Sequence, residues 1–214
     1  MKIFLPNISE NLTDNIDFYA TSLLAAREDE AVEHLRFDGC EVQGLNCQKS
    51  EFNDCIFEGC HFTETCLPKA SFTDVIFHKC DFSNIGLEDS SFNRVLFDNC
   101  KLMGANFTDC SLVSTVFRSC GAKYARFYSA LFKGAEFTGC DLSGATLQEV
   151  TIRFASFTDC CLARAEVFKT ALAGLNFTSC DINGLIVGLD EVKGLIVNPE
   201  QACALAGLMG IIVK

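Results

Sequence analysis

The sequence predicts an all-β solenoid, a quadrilateral β-helix of about eight coils. Three observations predict it. Apolar side chains recur every five residues without a break from Phe37 to Val197, a second period of twenty lies over the first, and glycine or another turn former occupies one fixed phase of the short repeat. Such a period marks an array whose units bury their apolar faces against their neighbours.

The short period repeats thirty-three times, and sixteen of the twenty phenylalanines fall on its central position; most other centres are Leu, Ile or Val. Two residues before each centre the side chain is compact, as at Cys40, Cys55, Cys60, Cys80, Ala105 and Ala125, and ten of the fourteen cysteines sit there. Inward positions are thus separated alternately by two and three residues. A two-residue step is the period of an extended strand, whereas a three-residue step sets two outward residues side by side and requires a bend. The second outward position holds ten of the fifteen glycines, with Asp54, Asp74, Asn84, Asn99 and Asp109 among the rest, so each repeat is a short strand closed by a corner.

The longer period counts the corners. Phenylalanine recurs at Phe37, Phe57, Phe77, Phe97, Phe117, Phe137, Phe157 and Phe177, and cysteine at Cys40, Cys60, Cys80, Cys100, Cys120, Cys140, Cys160 and Cys180. Four repeats to a coil place like side chains directly above one another, so the eight rings form a core column. The inward cysteines act as small hydrophobes, reduced rather than bridged.

An open β-helix exposes unpaired strand edges at both ends, which must be covered. Residues 1–34 lack the phase and form an N-terminal cap, in which Ser22 to Leu35 reads as a short helix with an acidic middle. Residues 35–197 form the β-helix. In residues 198–214, Asn198 as N-cap, Pro199 at the first helical position and Gln201 three residues after the cap predict a helix over Pro199 to Ala206, ended by Gly207. Met209 to Val213 reads as a short apolar strand.

No apolar run is long enough to span a membrane, and the start has no secretory signal, so the expectation is a cytoplasmic protein without membrane association. The net charge is −11. All of it falls in residues 1–117, residues 118–214 being balanced. Nucleic-acid binding needs a basic footprint, so direct contact with DNA or RNA is not expected; a partner with a positive groove fits better. At about 4.8 Å per coil, eight coils make a rod of about 40 Å. Shape and sign agree with mimicry of duplex DNA, at roughly half a duplex's charge density.

Outward side chains on a square rod diverge, so the sequence offers no cleft with convergent titratable groups, no nucleophile motif and no phosphate-binding loop, and it reads as non-enzymatic. Nor is a metal or cofactor expected: there is no CxxC pair, and His34, His61 and His78 match no ligand spacing. Cys66 and Cys161 point outward without evident purpose.

The repeat resembles the A(D/N)LXX pattern of the pentapeptide repeat family, whose members form right-handed quadrilateral β-helices. The tail is similar to the C-terminal module of the Qnr group of that family in Gln201, Ala202, Leu205, Gly210, Ile211 and Val213, with Met209 where Leu is usual. That resemblance implies a homodimer joined tail to tail through Gln201, Ala202, Leu205, Leu208, Met209, Ile211 and Val213. It also implies binding to type II topoisomerases, DNA gyrase and topoisomerase IV, and their protection from quinolones. The unbroken phase leaves no projecting loop, which departs from many Qnr proteins. An immunity or scaffold protein with an unrelated partner is the alternative.

Two outward columns are candidate partner sites. Ile56, Ile76, Leu96 and Val116 stack at twenty-residue spacing as an apolar patch, either a docking site or a surface covered by the N-terminal segment or by a neighbouring molecule in a crystal. Glu41, Asp81, Asp141 and Asp181 share another face, either a solvated face or a mimic of phosphates. Arg118, Lys123, Arg126 and Lys133 read as charge balance.

Overall fold

The computed structural model describes residues 2–15 and 17–213. In chain order the elements are β1 (Thr13–Asn15), α1 (Phe18–Glu28), β2 (Val32–Glu33), β3 (Leu35–Asp38), β4 (Glu41–Gln43), β5 (Glu51–Glu58), β6 (His61–Thr63), β7 (Ser71–His78), β8 (Ser91–Asp98), β9 (Ser111–Arg118), β10 (Leu131–Thr138), β11 (Thr151–Thr158), β12 (Glu166–Val167), β13 (Ile186–Val187) and α2 (Pro199–Ala206), followed by a 3₁₀ turn at Gly207–Met209.

The strands stack as a parallel solenoid. One sheet runs β1-β3-β5-β7-β8-β9-β10-β11, with β2 also paired to β5, while β4 pairs β6 and β12 pairs β13 on other sides of the tube. Register is locked at twenty residues: Phe57 sits opposite Phe77, Phe77 opposite Phe97, Phe97 opposite Phe117 and Phe117 opposite Phe137. β1 adds a rung before Phe37, its Asn15 facing Phe37, so the rungs number about nine where the sequence indicated about eight.

All eight phenylalanines of the column are buried. From Phe37 to Phe157 successive ring centroids lie 4.7 to 4.9 Å apart. Face-to-face stacking is not the geometry free rings prefer; the spacing of hydrogen-bonded rungs imposes it. Neighbouring columns supply edge contacts, as where Phe107 stands at 90° to both Phe97 and Phe117. The inward thiols donate to carbonyls of the coil below, Cys100 to Phe77 O at 3.3 Å and Cys120 to Phe97 O at 3.4 Å. Burial pushes Cys55 up to about 11 and Cys110 up to about 12, which keeps both protonated at neutral pH.

Corners come in two kinds. On the faces of the long strands the corner residue takes a positive φ without an internal turn bond, as at Asp74 (53°) and Arg94 (53°). On the other two faces a hydrogen bond closes the turn, as from Ile85 N to Phe82 O at 3.2 Å, with Asn84 at φ 59°, the pattern of a type II turn.

Both ends differ in part from the expectation. The helix lies at Phe18–Glu28 rather than over 22–35: Asp17 caps it by accepting from Ala20 N, and Asp29 ends it in the left-handed region. Val32 lies one period before Phe37, is buried and pairs with Phe52, so strand pairing displaces helix there. Phe18 closes the bore, stacked on Phe52 at 5.6 Å and edge-on to Phe37, Phe57 and Phe62. At the other end α2 has the predicted bounds and a complete capping box between Asn198 and Gln201. Residues 211–213 are not a strand: a 3₁₀ turn at Gly207–Met209 follows α2 and the chain turns at Gly210 (φ 73°).

A seam interrupts the rod. The corner position held by Asp54, Asp74, Arg94, Ser114 and Gly134 falls next on Phe154, whose bulky side chain does not enter the left-handed region, and the register against β10 shifts there. In the following coil the same two faces switch to hydrogen-bonded turns, Leu175 N to Leu172 O (3.0 Å) and Cys180 N to Phe177 O (2.8 Å), so β11 has no strand partner on that side. Phe177 meets Phe157 edge-on at 79° instead of stacking. The other two faces stay paired, as from Leu162 N to Asp181 O at 2.7 Å. A cleft of about 350 Å³ opens along the seam, lined by Phe154, Ser156, Thr158, Leu175 and Thr178. Amides of β11 should therefore exchange with deuterium faster than those of β7 to β9; equal protection in all four strands would remove the seam.

Candidate functional site

A strap formed by the first residues of the chain runs beside the start of the apolar column. Asn7 N donates to Asp74 Oδ1 and Ser9 N to Asp54 Oδ1, both at 2.8 Å, so the strap crosses successive coils along the rod axis. Each carboxylate has a second partner. His34 Nδ1 is 2.6 Å from Asp54 Oδ2, and the Arg94 guanidinium grips Asp74 with two nitrogens. Burial acts to raise the Asp74 carboxyl, but Arg94 and the Asn7 amide outweigh it and hold the group below the usual range. In the strap, Ile3, Pro6, Ile8 and Leu12 are half-buried while most residues between them are exposed. Ile56, Ile76 and Leu96 are half-buried and Val116 is 3% exposed, so the column is not an open apolar surface. Ile56 also lines a shallow cleft with Ser9, Leu12, Asp14 and Arg36.

The acidic residues are in register but are engaged. Asp81 Oδ1 accepts from Ser83 N (3.1 Å) and Ser83 Oγ (2.6 Å), while Lys101 Nζ is 3.2 Å from Oδ2. Asp141 repeats the motif with Ser143 and Lys123. Burial raises both carboxyls, and the serine and lysine contacts more than offset it, so both stay ionised at neutral pH. Asp181 accepts from Asn183 N at 3.0 Å, and Glu41 is exposed on β4. Asp81 and Asp141 thus brace turns, and His61, Lys101, Gly121 and Cys161 are interspersed among the acids on the same face.

The tail residues divide. Gln201 is buried and turns away from any tail surface: Nε2 donates to Phe177 O (2.8 Å) and Cys180 O (2.7 Å), and Oε1 accepts from Asn198 N (2.9 Å). It closes the last coil, as Phe18 closes the first. Ala202, Leu205 and Met209 meet Val192, Leu195 and Val197 around an apolar cavity of about 500 Å³. Leu208, Met209, Ile211 and Val213 are exposed, as is the intervening Ile212 at 83%.

Some residues escaped the sequence reading. The strap partners of Asp54 and Asp74, Ser9 and Asn7, lie far off in sequence and left no pattern, whereas His34 and Arg94 stand one coil away at the twenty-residue period. Tyr124, Tyr128 and Phe168 are exposed, and aromatic residues at outward phases of the repeat were a signal that could have found them. Among the described residues there is no group of three or more His, Cys, Asp or Glu able to hold a metal ion, and no helix is long and apolar enough to cross a membrane.

No curated protein matches the chain. Solved structures that align with it include a trypsin-treated variant of QnrB1, a plasmid-mediated fluoroquinolone resistance protein, at 20% identity over 84% of this chain and 99% of that one, with a TM-score of 0.46. Full-length QnrB1 aligns at 18% identity over 82% and 100%, with a TM-score of 0.35. HetL, a pentapeptide repeat protein involved in heterocyst differentiation regulation from Nostoc sp. strain PCC 7120, aligns at 15% identity over 82% and 95%, with a TM-score of 0.37. The profile of the family described as pentapeptide repeat region matches residues 70–138. That described as pentapeptide repeats (8 copies) matches residues 40–78 and 125–164. Between them the two take in most of the stretch whose five-residue beat builds the stacked coils, more than half of the chain, and the chain belongs to the pentapeptide repeat proteins.

Proposed function

We propose that this chain is a non-enzymatic rod that occupies the positively charged DNA-binding groove of a type II topoisomerase, DNA gyrase or topoisomerase IV, and protects the enzyme from quinolones as a homodimer joined through its C-terminal module. The observation that carries this reading is the placement of charge on a rigid rod. The whole net charge of −11 lies in residues 1–117, and the C-terminal half is neutral. In a tail-to-tail dimer the two acidic segments point outward, and the neutral, apolar ends meet. The tail's resemblance to the Qnr module supports the same assembly. Because Asp81 and Asp141 are paired to lysines, recognition leans on the summed field of the acidic half and on side-chain contacts rather than on a ladder of free carboxylates.

The test is supercoiling by gyrase in the presence of a quinolone, titrated with the protein. The expected result is recovery of supercoiled product as the protein is added. A flat titration up to a large molar excess of dimer would assign the chain instead to the immunity or scaffold reading.

A further inference from the structure

One corner of the rod carries a surface that neither the acidic segment nor the tail accounts for. Its column reads Asn84, Gly104, Tyr124, Gly144, Arg164, Gly184, a large side chain alternating with glycine at twenty-residue steps. The glycines do more than supply the left-handed corner. A Cβ on Gly144 would stand 2.6 Å from Tyr124 Cε1, one on Gly184 would stand 3.4 Å from Arg164 Cγ, and one on Gly104 would collide with the Asn84 side chain. Each large side chain therefore lies down along the rod axis on the glycine of the next coil. A ring or guanidinium held this way has already lost much of its rotamer freedom, which lowers the entropic cost of engaging a partner.

Beside this column the next face adds Arg126, Tyr128 and Phe168. Tyr124 is 65% exposed, Phe168 41% and Tyr128 39%. Among the described residues neither Arg126 nor Arg164 forms an ion pair, whereas Arg94, Lys101, Lys123 and Lys169 do. The carboxylates nearby are already taken: Asp141 by Lys123, and Glu149 by Lys169 and the Tyr128 hydroxyl. Two guanidiniums without partners, set among exposed aromatic rings, have the composition of an interface hot spot.

We infer that the corner formed by Tyr124, Arg126, Tyr128, Arg164 and Phe168 is a docking surface for an extended, acidic segment of a protein partner. The guanidiniums supply bidentate sites for carboxylates and the rings supply apolar faces. Tyr124 and Arg164 stand two rungs apart, about 10 Å, which matches about three residues of extended peptide. Nucleic acid is disfavoured because two arginines make too small a basic footprint to hold a phosphate backbone. This surface lies on the charge-balanced half of the rod, apart from the acidic coils assigned to a positive groove.

Fluorescence anisotropy of a labelled twelve-residue peptide of alternating Glu and Tyr, added to the full chain, tests the inference. The expected result is saturable binding that Arg126→Glu combined with Arg164→Glu weakens at least tenfold with an unchanged melting curve. Gly144→Leu, which forces the Tyr124 ring off its seat, should weaken it as well, while Arg118→Glu should not. A Lys-Tyr peptide binding equally well, a single-stranded oligonucleotide binding more tightly, no loss in the double variant, or no binding at millimolar peptide each overturns it. The supercoiling assay reads the acidic half and the dimer, so the two proposals fail separately.

Discussion

Phe97→Asp is expected to abolish cooperative folding. Phe97 is 1% exposed and stacked between Phe77 (4.9 Å) and Phe117 (4.8 Å), with Phe82, Phe92 and Phe107 around it. Emptying such a site costs about 3–5 kcal/mol, and the carboxylate adds several kcal/mol more for a charge without a partner. Together these rival the whole stability of an ordinary domain, about 5–15 kcal/mol. Because each coil touches only its neighbours, the damage falls in the middle of the stack and interrupts propagation from either side. Phe97→Leu, which keeps an apolar filler, should stay folded and melt earlier. Circular dichroism melts of the two variants check this, and an Asp variant melting like wild type would contradict the core column.

Ending the chain after Val197 should have the second largest effect. It removes the exposed apolar tail and also Gln201, leaving the carbonyls of Phe177 and Cys180 without the donor they have in the full chain. The truncated chain should be monomeric or insoluble, while light scattering of the full chain should return twice its 23.4 kDa. Gln201→Ala separates the two roles: it should lower the melting temperature without changing the mass. A full chain that scatters as a monomer would remove the proposed dimer.

The middle of the molecule was legible because its rule is local and repeats. Phe on one phase, Cys or Ala on another and Gly or Asp at the corner specify a coil with no long-range information. Asn198, Pro199 and Gln201 gave the bounds of α2 for the same reason, since a capping box is written in four consecutive residues. The N-terminal end was misread where two local signals compete: Ser22 to Leu35 has helical composition, yet Val32 sits on the solenoid beat and the sheet claims it. The strap was invisible because the pairs Asn7 with Asp74 and Ser9 with Asp54 are set by tertiary geometry. The apolar column was legible as a column; that the strap reaches Ile56 at its start was not. The seam could have been suspected from Phe154, an aromatic residue at a position otherwise held by Asp, Arg, Ser or Gly.

The two lids, Phe18 over the first rungs and Gln201 under the last, touch nothing in between. Between the coils held by the strap and the seam at Phe154, a block of twenty residues brings its own ring, thiol and four corners, and meets blocks like itself above and below. Tandem duplication or loss of one block would shift a lid by about 4.8 Å without refitting a single interface. The molecule is thus a ruler graduated in twenties, and its reach toward a partner is a quantity that gene duplication can adjust one notch at a time.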